Sequence, residues 1–129
     1  MKVFVIAGDP TPLARPRFSH KRVYDSQKNI KIVASISIKQ QQGDAPLLDG
    51  ALHLDVTFYM KAPVSISAKR RQLLYGTNHL FKPDLDNLIK YICDICNNVT
   101  YEDDSIISSI SAHKIYDENP RTEFTLRNI

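Results

Sequence analysis

Residues 82–90 read KPDLDNLIK. Asp84 and Asp86 stand two apart, Asn87 follows, and Lys90 lies one helical turn beyond Asp86. Carboxylates this close repel unless they are well solvated or a cation holds them. A second acidic group, Glu102, Asp103 and Asp104, sits in the stretch TYEDDSI. Carboxylates converging from both groups would form a hard, oxygen-rich site suited to Mg²⁺ or Mn²⁺, with waters completing the shell. Such an ion acidifies a bound water and neutralises phosphate oxygens, and a nearby lysine adds fixed positive charge. Glu102, Asp103 and Asp104 are all candidates to join Asp84 and Asp86 at such a site, with Lys90 beside it. A structural reading competes with it. Asp84 would then be an N-cap, Asp86 a first-turn acid favoured by the helix dipole, and Asp86–Lys90 an i,i+4 pair of about 0.2–0.5 kcal/mol.

Other metals fit less well. An EF-hand loop opening at Asp84 would need Gly at its sixth position and Glu at its twelfth; Ile89 and Ile95 stand there. Cys93 and Cys96 are one pair without a second, on or beside an apolar stripe, which favours core packing over zinc or redox chemistry. His20, His53, His79 and His113 show no ligand spacing.

The elements around these residues read as an α+β fold. Residues 2–7 predict a first strand, and the Pro-rich stretch after Gly8 an extended loop. The sequence FSHKRVYD predicts a short strand or hairpin arm. Asp25 or Ser26 can cap a helix running to about Gln42, with Ile30, Val33, Ala34 and Ile38 on one side. Residues 51–60 alternate, Leu52, Leu54, Val56, Phe58 and Met60 against His53, Asp55, Thr57 and Tyr59, the clearest strand signal in the chain. A loop with a short helix over 65–74 follows, then a main helix over 84–98. On that helix Leu85, Leu88, Ile89, Ile92 and Cys96 form the buried stripe, and Asp86, Lys90 and Asp94 the opposite polar ridge. Strands over 105–115 and 121–128 close the chain. The order β-α-β-α-β-β predicts one domain over residues 1–129, a mixed sheet with two main helices packed on one face.

Composition bounds the partners. The 129 residues are 43% hydrophobic, enough for one core and too much for a disordered tail. No apolar run approaches the roughly 18 residues of a membrane span, and the N-terminus lacks the apolar core of a secretion signal. A soluble, cytoplasmic protein is expected. The net charge of +3 hides a segregation: residues 1–83 hold 13 Lys/Arg against 5 Asp/Glu, and residues 84–129 hold 4 against 9. A basic first part suits a polyanion, and divalent cations would screen the acidic second part from it. Arg15, Arg17, Lys21, Arg22, Lys69, Arg70, Arg71 and Lys82 are the candidate phosphate contacts.

The composite KPDLDNLIKYICDICNN…YEDDSII resembles the signature of the RusA family of Holliday junction resolvases. The family pattern is D-x-D-N, a lysine four residues after the second aspartate, a further aspartate on the helix, and D-D before a strand. These are Asp84, Asp86, Asn87, Lys90, Asp94, Asp103 and Asp104 here. The match is closest over residues 82–107, and LARPRF resembles the G-R-P-R-F element of phage and prophage members. The resemblance implies a homodimeric, Mg²⁺-dependent endonuclease, with Mn²⁺ able to substitute, that resolves four-way DNA junctions by paired nicks in recombination and repair. It implies Asp84, Asp86, Lys90 and Asp104 as the essential residues of a phosphodiester hydrolysis, with Asp84, Asp86 and Asp104 as metal ligands, Asp103 as a further, less critical candidate, and Lys90 facing the phosphate. Some members carry an unbroken arginine run before D-x-D; here Lys82 and Pro83 stand there, and the nearest basic cluster is Lys69, Arg70 and Arg71. Two alternatives accompany this reading: a nuclease of the same fold acting on flaps, forks or other branched DNA, and a non-catalytic junction-binding module.

Overall fold

A computed structural model describes all 129 residues. The elements are β1 (Phe4–Ala7), β2 (Arg17–Ser19), β3 (Arg22–Tyr24), α1 (Lys28–Gln42), β4 (Leu52–Met60), α2 (Ala68–Leu74), α3 (Leu85–Ile95), β5 (Ile107–Tyr116) and β6 (Arg121–Asn128). A single 3-10 turn over Asp104–Ile106 leads into β5. Strands β1, β6, β4 and β5 form one sheet in that order. β4 and β5 are parallel, and the other pairs are antiparallel. The fold is α+β with a mixed sheet, as expected. Hairpin β2–β3 is a separate two-stranded sheet.

The parallel β4–β5 pair governs where α3 lies. Parallel neighbours cannot be joined by a tight turn and need a long crossover. Residues 61–106 are that crossover, and α2 and α3 belong to it. The apolar face of β4, Leu52, Leu54, Val56, Phe58 and Met60, is buried throughout. It joins Phe4, Phe124 and Leu126 of the neighbouring strands and Leu88, Ile92 and Cys96 of the α3 segment in one core cluster. Full burial of each such side chain contributes about 1.5–3 kcal/mol. The α3 stripe is broader than the sequence pattern indicated, because Tyr91, Cys93 and Ile95 are buried too.

Three expectations need correction. The helix expected over 84–98 ends at Ile95, where Cys96 caps it and the chain turns back through Asn98, whose φ is +61°. Helix α1 has no side-chain cap; its N-cap is Gln27, and the Asp25 carboxylate instead accepts a bond from the Gln27 N–H. Of its expected apolar side only Ala34 and Ile38 are buried, while Ile30 and Val33 are 53% and 69% exposed. Ile32 and Ile36 are exposed as well, so apolar residues surround this helix and periodicity could not select the packed face. No helix is long and apolar enough to cross a membrane.

Cys93 and Cys96 are free, buried thiols of the core. Burial pushes Cys93 up to about 11 and Cys96 up to about 12. Both therefore remain protonated thiols, poor nucleophiles and poor ligands, at neutral pH. At pH 8 the folded protein is expected to resist maleimide labelling and to take up two equivalents after unfolding in guanidinium. Rapid labelling of the folded chain would contradict this packing.

Candidate nucleic-acid cleavage site

The site is built on the start of α3. Asp84 occupies the N-cap position with extended backbone, yet its side chain makes no capping bond. Both of its carboxylate oxygens instead accept hydrogen bonds from Lys82 Nζ, at 2.7 and 2.9 Å. That bond, followed by the charges of Lys82 and Lys114, holds the Asp84 carboxyl below its usual pKa. Capping therefore does not account for this side chain, and the carboxylate stays ionised and solvent-facing.

Lys114 is a positioning residue that sequence reasoning missed. It projects from β5, and its Nζ donates to the carbonyls of Phe81 (2.7 Å) and Pro83 (2.9 Å), directly before Asp84. Residues 76–79 also run along β5: Gly76 N–H donates to Tyr116 O, Tyr116 N–H to Thr77 O, and His79 N–H to Lys114 O. Nothing in a lone lysine among strand residues signals that role; only the crossover brings the two segments together.

The opposite wall comes from the Pro-rich loop after β1. Leu13 N–H donates to Asn87 O on α3. Gln27 grips the same loop twice, donating from Nε2 to Pro12 O and accepting at Oε1 from Ala14 N–H. The result is a cleft of about 430 Å³ lined by Asp84, Asp86, Asn87 and Lys90 on one side and by Leu13, Ala14, Arg15 and Pro16 on the other. Lys90 lies 3.8 Å from Asp86, with both side chains largely exposed. Such a pair is loose, worth at most about 1 kcal/mol, and leaves the ammonium available to another anion.

The remaining expected residues fall elsewhere. Asp94 pairs with Lys31 of α1 at 2.9 Å, and Lys31 also binds Asp25 at 2.6 Å, so this part of the ridge ties α1 to α3. Asp103 caps the 3-10 turn, its Oδ2 accepting from Ser105 N–H at 3.0 Å, and hydrogen bonding by the Ser105 side chain, then by its backbone, lowers the Asp103 pKa. With Glu102 it lines a different cleft, beside Leu48 and Asp49. Asp104 opens the turn that starts β5. Because β5 begins near the end of α3 and runs back to place Lys114 near its start, the two acidic groups lie toward opposite ends of a helix about 16 Å long. No three His, Cys, Asp or Glu side chains group closely enough to hold a metal ion. The expected convergence of Asp84, Asp86 and Asp104 does not occur within one chain.

The basic residues divide similarly. Arg15 lines the cleft, and Arg17, Lys21 and Arg22 are exposed on the β2–β3 hairpin. Lys69 and Arg70 are exposed on α2, whereas Arg71 donates to Ile66 O and supports the α2 entry. Lys82 is committed to Asp84.

The donor set fits magnesium. Mg²⁺ is commonly bound through one or two protein carboxylates, with water and substrate phosphate filling its octahedron. Asp84, Asp86 and the Asn87 amide are hard oxygen donors in one open cleft, and no Cys or His lines it.

A family model for endodeoxyribonuclease RusA matches residues 7–127. The chain belongs to the RusA endodeoxyribonuclease family. It is also 29% identical to the uncharacterized protein YqaN of Bacillus subtilis strain 168, over 98% of this chain and 95% of that protein. Both alignments span the Pro-rich wall as well as α3, so the similarity extends over the whole cleft.

The Lys82–Asp84 contact is testable by titration. Carboxyl-detected NMR should show Asp84 titrating below the ordinary 3.8. In Lys82→Met its pKa should rise, since the hydrogen bond that favours the charged form is gone. An unchanged Asp84 titration would mean that the pair does not persist in solution.

Proposed function

We propose that this chain is a Mg²⁺-dependent, structure-selective endodeoxyribonuclease that nicks four-way DNA junctions in pairs. The carrying observation is the cleft in which Asp84, Asp86, Asn87 and Lys90 face Arg15 at the foot of a cationic hairpin. Asp84 and Asp86 would hold the ion, which when bound supplies an acidified water and neutralises charge on the scissile phosphate. Lys82 keeps Asp84 ionised before DNA arrives. Lys90, held by one long ion pair, turns toward the phosphate and stabilises the charge that develops there. Exposed Lys69 and Arg70 contact the backbone farther out.

The active form in this proposal is a homodimer. A four-way junction has near two-fold symmetry, and a two-fold dimer presents two equivalent sites to two equivalent strands. Dimerisation also offers a role for Asp104. One chain keeps it apart from Asp84 and Asp86, so Asp104 of a second copy would help hold the ion, with Asp103 beside it. Mn²⁺ substitutes because the donors are all oxygen.

A synthetic mobile junction, a flap and a linear duplex, each incubated with and without Mg²⁺, test the reading. Paired nicks in the junction that require Mg²⁺ are expected. Preferential cleavage of the flap would assign a different branched substrate, and binding without cleavage would make the chain a non-catalytic module. Asp86→Asn and Asp104→Asn should each abolish nicking while preserving fold and junction binding; either variant cutting at the wild-type rate would remove that residue from the site. Lys90→Ala should slow single-turnover cleavage by about a hundredfold or more, with little change in melting temperature. A rate loss matched by loss of folding would make Lys90 structural.

A further inference from the structure

The hairpin β2–β3 stands apart from the main sheet, and every residue of both strands is exposed. An isolated two-stranded hairpin is marginal in water and calls for a surface to pack on. Its register sorts the side chains. Phe18 lies opposite Val23 on one face, and the pairs Arg17–Tyr24 and Ser19–Arg22 occupy the other. Phe18 and Val23 are 78% and 63% exposed, an apolar pair with no cover in the chain.

Charge identifies what covers it. Residues 10–24 contain Arg15, Arg17, Lys21 and Arg22 and no Asp or Glu. At the tip, His20 and Lys21 have φ of +49° and +63°. A two-residue turn with both φ positive favours Asn-Gly, so the fold accepts strain there while presenting an imidazole and a cation. The arm is held at its root by Gln27 and by the Leu13–Asn87 bond, beside Asp86 and Lys90. Phe18 stands two residues beyond Pro16, about 7 Å along the strand. That is about two nucleotide steps of one DNA strand from a phosphate in the cleft.

We propose, building on the nuclease reading, that this hairpin is a wedge for branched DNA. Phe18 and Val23 pack against bases that lose stacking at the branch point, while Arg17, Lys21 and Arg22 hold the flanking phosphates. Apolar side chains flanked by cations act this way where bases are partly unstacked. A linear duplex keeps its bases stacked and offers only phosphates to the arm. The hairpin thus sets the preference for branched over linear DNA, and the carboxylate cleft cuts what the hairpin has opened.

The test uses the full chain and a four-way junction carrying 2-aminopurine at the branch point, titrated in EDTA so that cleavage cannot intervene. Wild-type protein should brighten the probe. Phe18→Ala/Val23→Ala should lose most of that rise and bind the junction about tenfold or more weakly. Its affinity for linear duplex, carried by phosphates, should change by less than about twofold. Phe18→Trp should retain the rise, and circular dichroism should show all variants folded. An undiminished rise in the double variant, or equal losses on junction and duplex, overturns the wedge. So does a double variant that sediments as a monomer where the wild type is a dimer, because a second copy then covers the pair. Wild-type protein that cuts the junction in Mg²⁺ without brightening the probe overturns the wedge alone. Wild-type protein that neither binds nor cuts branched DNA overturns both the wedge and the nuclease reading.

Discussion

Leu88, Ile92 and Cys96 of the α3 segment are almost completely buried in the core cluster that includes the apolar face of β4. This contact fixes the rotation of the helix about its own axis. With the stripe held inward, Asp86 and Lys90 must face outward, and Asp84 stands at the exposed helix start. The crossover between parallel β4 and β5 fixes the other coordinate, since β5 returns to place Lys114 beneath residues 81–83. Replacing Leu88 by a small residue would remove about 2–5 kcal/mol and loosen the same rotation. Core packing and site geometry therefore rest on the same helix.

Crowded carboxylates are tolerated here through distributed positive charge. Asp84 and Asp86 sit at a helix N-terminus, where the macrodipole favours anions. Lys82 binds Asp84 directly, and Lys90 stays near Asp86. The basic excess of the first part of the sequence becomes spatial on the β2–β3 hairpin, whose cations rise from the rim of the acidic cleft. Arg15, on the wall of the cleft nearest the hairpin, adds a further positive charge opposite the carboxylates.

Elements with one wet face and one dry face were legible in the sequence. The alternation of β4 and of residues 121–128 gave their positions to within a residue, and the α3 stripe gave both its packed side and its polar ridge. Helix α1 resisted because Ile30, Ile32, Val33 and Ile36 spread apolar surface around it, so the buried face depends on tertiary contacts. The D-x-D-N-L-x-K spacing marked one half of the candidate site. The rest was hidden because long-range contacts make it: Lys114 reaches back from β5, Gln27 clamps the Pro-rich loop, and the 97–106 return carries Asp103 and Asp104 to the far end of α3. The direction of that return is set by β5, which pairs parallel to β4.

The separation of Asp84 and Asp86 from Asp104 within one chain makes a shared site the central claim, and subunit mixing tests it most directly. Asp86→Asn and Asp104→Asn proteins, each inactive alone, would be mixed, allowed to exchange subunits, and assayed on a four-way junction with Mg²⁺. If each site combines Asp84 and Asp86 of one copy with Asp104 of the other, the mixed dimer carries one doubly altered site and one intact site, and single nicks return. If each chain contains its whole site, every site in the mixed dimer is damaged. The mixture would then remain as inactive as its parents, contradicting the account.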